Sequence, residues 1–222
     1  MSHNVHPYAH RLGIIRDWKS RWFGTEGKYQ DYLKTDVLIR EFLEKKLRGN
    51  YVDGIDFERS GGNILRIIIR TSKPGMIIGR SGEGSLKLKE AIMTKLRKIK
   101  VSIPKEVKID IEEVRSPESH SAIVGQMVAE GLEKRLPFMR CMKQAVEKTM
   151  ANRDVKGVKI TLSGRLGGAD MSRIESVKNG RLPLQTLRAD IDFAREKAHL
   201  PYGDIGIKVW IYRGDIFEKT KK

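Results

Sequence analysis

A single cysteine, Cys141, stands among 222 residues, so no internal disulfide can form, and one thiol with five histidines lacks the paired spacing of a structural zinc site. Disulfide scaffolds and zinc fingers are excluded. Long apolar runs are equally absent: segments such as Ile67-Ile68-Ile69 and Met76-Ile77-Ile78 fall far short of the ~20 residues that cross a bilayer. The opening stretch, with His3, His6 and His10, has no apolar segment of signal-peptide length, so a cytoplasmic protein with no membrane partner is expected. Acidic residues are the third shortage. Asp and Glu total 28 against 44 Lys and Arg, a formal charge of +16 that attracts polyanions. Residues 1–111 carry a net charge of +10 and residues 112–222 a net charge of +6, so both halves are cationic rather than one tail. A hydrophobic content of 39% is ordinary for a folded chain and excludes disorder as the main state. At about 100–150 residues per domain, the length suits two small domains.

The order of elements supports that division. After an N-terminal arm over 1–30, Thr35 is placed to cap a helix in which Leu38 and Phe42, and Ile39, Leu43 and Leu47, recur every fourth residue before Gly49 ends it. Strands are expected from Val52 to Arg59 and from Ile64 to Thr71, joined by a turn at Ser60-Gly61-Gly62-Asn63. A short helix opens at Pro74, a second runs from Leu86 to Ile99, and Val107, Ile109 and Ile111 alternate with charge as a strand does. A proline among polar residues at Arg115-Ser116-Pro117-Glu118 marks the domain boundary. Beyond it, Ile123 or Val124, Val128, Leu132 and Leu136 define one helix, and a second begins with Pro137 in its first turn and runs to about Asn152. Four strands follow, at 158–163, 172–178, 187–193 and 205–212, and a short basic tail occupies 217–222.

The segment between the two helices of the first domain carries the chemistry. Gly79-Arg80-Ser81-Gly82 removes two Cβ atoms from a tight turn, so a sugar-phosphate backbone can lie against the main chain while Arg80 and the helix dipole supply positive potential. A nucleotide-triphosphatase loop would need Gly-Lys-Ser or Gly-Lys-Thr, which does not occur, and a dinucleotide fingerprint starting at Gly82 would need glycine where Lys87 stands. Aromatic stacking readers are also poorly matched, because the span from Lys73 to Pro104 has no aromatic residue. Flanked by Ile77-Ile78 and Leu86, after a hairpin and before a strand, the Gly-x-x-Gly turn resembles the KH module in its second topology. The expected architecture is α+β. It comprises an N-terminal type II KH domain over 31–115 and a C-terminal α+β domain of two helices on a four-stranded antiparallel sheet over 116–216. In the KH domain, Gly79, Ser81 and Gly82 would line the RNA loop while Lys73, Arg80 and Lys87 supply charge.

A second resemblance covers nearly the whole chain. His6-Pro7, Arg11-Leu12-Gly13-Ile14, Gly164-Arg165-Leu166-Gly167-Gly168-Ala169, the run from Gly180 to Asp192, Tyr202-Gly203 and the run from Ile205 to Ile211 closely resemble the bacterial small-subunit ribosomal protein three family. That resemblance implies an RNA-binding, non-enzymatic constituent of the small-subunit head. It implies partners in small-subunit rRNA, mRNA where it enters its channel, and small-subunit proteins ten and fourteen. The family's channel cluster is two arginines and a lysine; here Arg140 and Lys143 are kept and Met139 replaces the first arginine. On a helix Arg140 and Lys143 share a face. Arg11, Arg165, Arg173, Arg181 and Arg188 are candidate rRNA contacts, with Asp170, Glu175, Asp190 and Asp192 as alternative partners inside the sheet.

No catalytic constellation, metal site or cofactor is expected. The rival from another class is a Mg²⁺-dependent nuclease using Glu112-Glu113 or Asp190 with Asp192, the latter pair sharing a strand face for either metal or arginine. Cys141 has no nearby histidine base and reads as a small packed side chain.

Overall fold

A computed structural model describes residues 5–25, 27–60, 64–99 and 104–217; the expected turn at 61–63, His3 and the tail from 218 onward lie outside the described residues. Two compact units emerge. Trp18–Arg115 forms one, and the chain from Ser116 forms the other together with the residues up to Asp17. The expected separate arm over 1–30 is therefore divided: its first part, with a short helix α1 (Pro7–His10), belongs to the C-terminal unit and the rest to the KH unit.

In the first unit, β1 (Ser20–Arg21) lies parallel to β2 (Val52–Ser60), which pairs antiparallel with β3 (Ile64–Thr71), itself parallel to β4 (Glu106–Glu113). Helices α2 (Lys28–Lys46), α3 (Pro74–Ile78) and α4 (Glu83–Ile99) complete it. The fourfold spacing in the sequence has a direct consequence. Ile39 and Leu43 of α2, with Leu88, Ile92 and Leu96 of α4, share one core with Phe57, Leu65, Ile67 and Ile69 of the sheet. Helix α2 starts seven residues before the expected cap. Thr35 lies inside it, buried, and its hydroxyl donates to the Asp31 carbonyl at 2.7 Å instead of capping an end. The extra turns are held by tertiary partners invisible in a helical pattern. Trp22 packs on Tyr29 and Tyr32 at 5.2 and 5.6 Å, and buried Asp36 accepts from Trp22 Nε1 at 2.6 Å and from Arg59 at 2.5 Å.

In the second unit, α5 (Ser121–Glu133) and α6 (Phe138–Ala151) cover one face of β5 (Gly157–Gly164), β6 (Arg173–Gly180), β7 (Ala189–Leu200) and β8 (Gly203–Asp215). The sheet is antiparallel throughout, in the order β6-β5-β8-β7. Val124, Val128, Leu132, Met142 and Val146 meet Ile160, Leu162, Ile207 and Val209 in its core. Helix α5 stops before Leu136, because Arg135 takes a φ of 60° and the Leu136 amide bonds to the Gly131 carbonyl. Pro137, expected in the first turn of α6, precedes it in an extended conformation. The third strand starts at Ala189 rather than Leu187 and runs on to Leu200.

Arg11 joins the beginning of the chain to this sheet. Its side chain is fully buried and its guanidinium donates to four carbonyls: Ala189 at 2.6 Å, Pro7 at 3.0 Å, Leu184 at 3.0 Å and Thr186 at 2.9 Å. Burial pushes its pKa below the usual arginine value, opposed by the nearby Asp190 carboxylate. Arg11 was expected to contact rRNA; its burial and four carbonyl partners correct that expectation and make it a structural clamp.

Two outcomes follow from this packing. Arg11→Ala strands buried carbonyls and should cost about 3 kcal/mol or more in urea unfolding, with Arg11→Lys only partly restoring stability because an ammonium lacks the planar fork. Hydrogen exchange should locate the loss in β7 and β8, leaving β2 to β4 protected. In the KH unit, a Cβ at Gly84 would lie 2.5 Å from the Ile77 carbonyl oxygen, whereas one at Gly75 meets nothing within 4 Å. Gly84→Ala should therefore destabilise by about 1–3 kcal/mol and Gly75→Ala should not, as measured by thermal unfolding.

Candidate nucleic-acid interface

Three of the four residues of the Gly-x-x-Gly turn have positive φ, all but Arg80. Gly79 has φ 71° and ψ −176°, Ser81 has φ 54°, and Gly82 has φ 80°, with Ser85 Oγ donating to the Gly82 carbonyl at 2.7 Å to close the turn. A side chain at Gly79 would be strained by that backbone and would also press within 3.0 Å of the Gly84 nitrogen. Arg80 is exposed and forms no ion pair among the described residues. Lys73 stands at the start of α3, its ammonium 4.3 Å from the Tyr51 ring centroid. Lys87 is one turn into α4, paired with Glu83 at 2.6 Å. Of the three cations expected here, Arg80 is thus the one whose charge is not already shared. Sequence reasoning set Ile78 and Leu86 beside the turn but missed how far they are exposed: Met76 and Leu86 are each 61% exposed and Ile78 is 38% exposed rather than buried as a helical pattern suggests. It also missed Gly84, whose missing side chain lets α4 start against the carbonyls of α3.

The C-terminal cations divide into bound and free groups. Arg140 and Lys143 both lie exposed on α6, with Met139 38% exposed beside them. Arg165 donates to the Ala169 and Tyr202 carbonyls and to Asp170 at 3.1 Å, so it shapes the loop after β5. Arg173 pairs with Glu175 at 3.8 Å and sits over the Phe138 ring; Arg188 pairs with Asp215 at 3.5 Å and sits over Phe217. Arg181 is exposed. The partners anticipated for Arg165 and Arg173 are therefore the ones they take.

The acidic pair that a nuclease would require is held elsewhere. Asp190 binds Arg16 at 2.6 Å, and Asp192 accepts from the Ser121 amide at 2.8 Å and from Arg213 at 3.2 Å, capping the start of α5. Glu112 and Glu113 are neighbours on β4, opposite Arg70 and Thr71, and successive strand residues point to opposite faces. Neither pair presents two free carboxylates to a shared ion. Cys141 is buried, and that burial pushes its thiol pKa up against the pull of Arg140, so it is not an activated nucleophile.

Two family models match the two units. Residues 38–119 match the KH domain, and residues 128–211 match the C-terminal domain of ribosomal protein S3. The chain is 45% identical over 216 residues to the small ribosomal subunit protein uS3 of Caldicellulosiruptor saccharolyticus, covering 97% of this chain and 94% of that protein. It is 44% identical over 221 residues to uS3 of Streptococcus gordonii, covering 100% of this chain and 97% of that protein. It is 42% identical over 222 residues to uS3 of Clostridium tetani, with the same coverage of 100% and 97%. With one family model matching each unit and similarity to uS3 proteins running over 97% or more of its length, the chain belongs to the small ribosomal subunit protein uS3 family.

Proposed function

We propose that the protein, a structural constituent of the small ribosomal subunit and not an enzyme, binds rRNA in the subunit head and guides mRNA where it enters its channel. The observation that carries the reading is the unshared Arg80 on a left-handed glycine turn, flanked by exposed Met76, Ile78 and Leu86. Phosphate contacts position a strand, whereas apolar side chains beside the turn receive its bases. Lys73 and Lys87 add positive potential. In the C-terminal unit, Arg140 and Lys143 face outward together and serve the mRNA; Arg181, with the partly shared Arg165, Arg173 and Arg188, serves rRNA. Proteins ten and fourteen of the small subunit are the neighbouring partners in this arrangement, and the cytoplasmic ribosome is its location. Static cations that hold one strand compete with base pairing, so unwinding accompanies translocation without any ATP site on this chain.

Three measurements test the reading. Replacing Arg80 and Ser81 by aspartates should weaken single-stranded RNA binding by roughly tenfold, about 1.4 kcal/mol, with circular dichroism unchanged, since the turn is exposed. The parent's log K should fall with log salt by about 0.7 per phosphate contact, and a flat dependence would contradict polyanion binding. On α6, Met139→Arg should raise the rate at which reconstituted ribosomes traverse a downstream RNA hairpin. Arg140→Ala with Lys143→Ala should lower it, each with little effect on an unstructured message. An identical ratio of structured to unstructured elongation rates for all three proteins would remove α6 from the channel.

A further inference from the structure

The sheet of the C-terminal unit has a second face, opposite the one that α5 and α6 cover, and strand register defines what it displays. In one row across the sheet Phe193 lies opposite Trp210, Trp210 opposite Lys159, and Lys159 opposite Lys178. In the next row Arg195 lies opposite Lys208, Lys208 opposite Thr161, and Thr161 opposite Ser176. One end of this face is closed, where Leu182 and Leu184 cover Ile191 and Tyr212 and the His6 ring meets Phe193 at 4.8 Å. Beyond that cover the surface is open: Lys178, Arg195 and Lys208 are exposed, and Lys159 is half-buried with its ammonium 5.4 Å from the Trp210 ring centroid.

The charge arrangement is unfavourable for a sheet that meets only water. Like charges directly opposite one another weaken strand pairing. Here Arg195 faces Lys208 and Lys159 faces Lys178, with no carboxylate in either row. Among the described residues none of these four cations forms an ion pair. The nearest acids at the two ends are already engaged, Asp204 with His199 at 2.6 Å and Asp215 with Arg188 and Tyr212. Elsewhere the same unit neutralises its arginines, as at Arg16, Arg165, Arg173 and Arg213. At about 4.8 Å per strand the four cations span ~14 Å, a length suited to several successive phosphates.

We propose that this open face is a third RNA-binding surface, with Arg195, Lys208, Lys159 and Lys178 holding the phosphate backbone of a single-stranded segment beside Trp210. It rests on the reading of the chain as an RNA-binding ribosomal protein and adds a site separate from the KH loop and from α6. Unpaired cations on successive strands beside the half-buried Trp210 ring fit an RNA strand better than an acidic protein, because a base can meet the ring while phosphates meet the cations, and carboxylates offer the ring no stacking partner.

The test uses the full chain with Arg80→Asp and Ser81→Asp, so that the KH loop no longer contributes, and a single-stranded uridine oligonucleotide of about twelve residues. Lys178→Glu with Lys208→Glu is then added. Each glutamate lands opposite a cation, so the melting midpoint should hold or rise while RNA affinity falls. The slope of log K against log salt should become shallower by about 1.4, two contacts at about 0.7 each. Lys34→Glu with Lys98→Glu makes the same change in net charge on the other unit and should leave the slope unaltered. Unchanged affinity and slope in the sheet variant, an equal loss in the Lys34 and Lys98 control, or no residual binding once the KH loop is disabled would each overturn the proposal. So would loss of binding to a polyglutamate peptide but not to RNA, which would assign the face to an acidic protein. If the glutamate variant melts lower than its parent, Lys178→Gln with Lys208→Gln reads the same slope, and an unchanged slope there overturns the proposal. Failure of the unsubstituted parent to bind any RNA would instead strike the reading of the protein as RNA-binding.

Discussion

A buried guanidinium sets the plan of this molecule. Arg11 satisfies four backbone carbonyls from two distant stretches, α1 beside it and the loop that leads into the first residue of β7. Desolvating a charge is costly, and that cost is offset only when hydrogen bonds replace the lost water. Arginine has the donors to do this in a fixed plane; lysine does not. Because the clamp ties the beginning of the chain to β7, the KH unit is an insertion between two parts of the C-terminal unit. The same clamp holds the cover over Ile191 and Tyr212, which leaves the remainder of that sheet face open.

A net charge of +16 is a property of the whole chain, but its use depends on which cations find carboxylates inside the fold. Arg59 and Arg213 are partly or wholly buried in ion pairs and serve the architecture. Arg66 links Glu58 with Asp110 across three strands of the KH sheet. By contrast Arg80, Arg140, Lys143, Lys178 and Lys208 are exposed and unpaired among the described residues, and they stand on three distinct surfaces. Exposed ion pairs contribute little to stability, so pairing an arginine chiefly removes it from the pool available to phosphate. The distribution of acids therefore decides which cationic surfaces stay open to a polyanion as much as the distribution of bases does.

The KH turn joins fold and function at shorter range. Gly84 lets α4 begin against the carbonyls of Ile77 and Ile78, and this close approach directs Gly79 through Gly82 outward. Left-handed backbone at three of four positions leaves the main chain exposed, with Ser81 bearing the strain that glycine relieves on either side. Met76, Ile78 and Leu86 remain exposed because the same turn breaks the helix before they can reach the core.

Periodicity and local spelling by themselves determined the two-unit α+β class, the order of elements from α2 onward, the KH turn and the placement of Arg140 and Lys143 on one helix, but not α1 or β1. These depend on contacts within a few residues, for which a spacing of four or two is direct physical information. Tertiary structure alone decided the rest. The early start of α2 depends on Asp36 meeting Trp22 and Arg59, and the end of α5 on a left-handed Arg135, neither of which changes the hydrophobic pattern. Arg11 looked like any basic residue in a polar arm until residues more than 170 positions away brought their carbonyls to it. The opposed cations of the open sheet were unreadable for a related reason: alternation assigns a side chain to a face, but only register says what stands across from it.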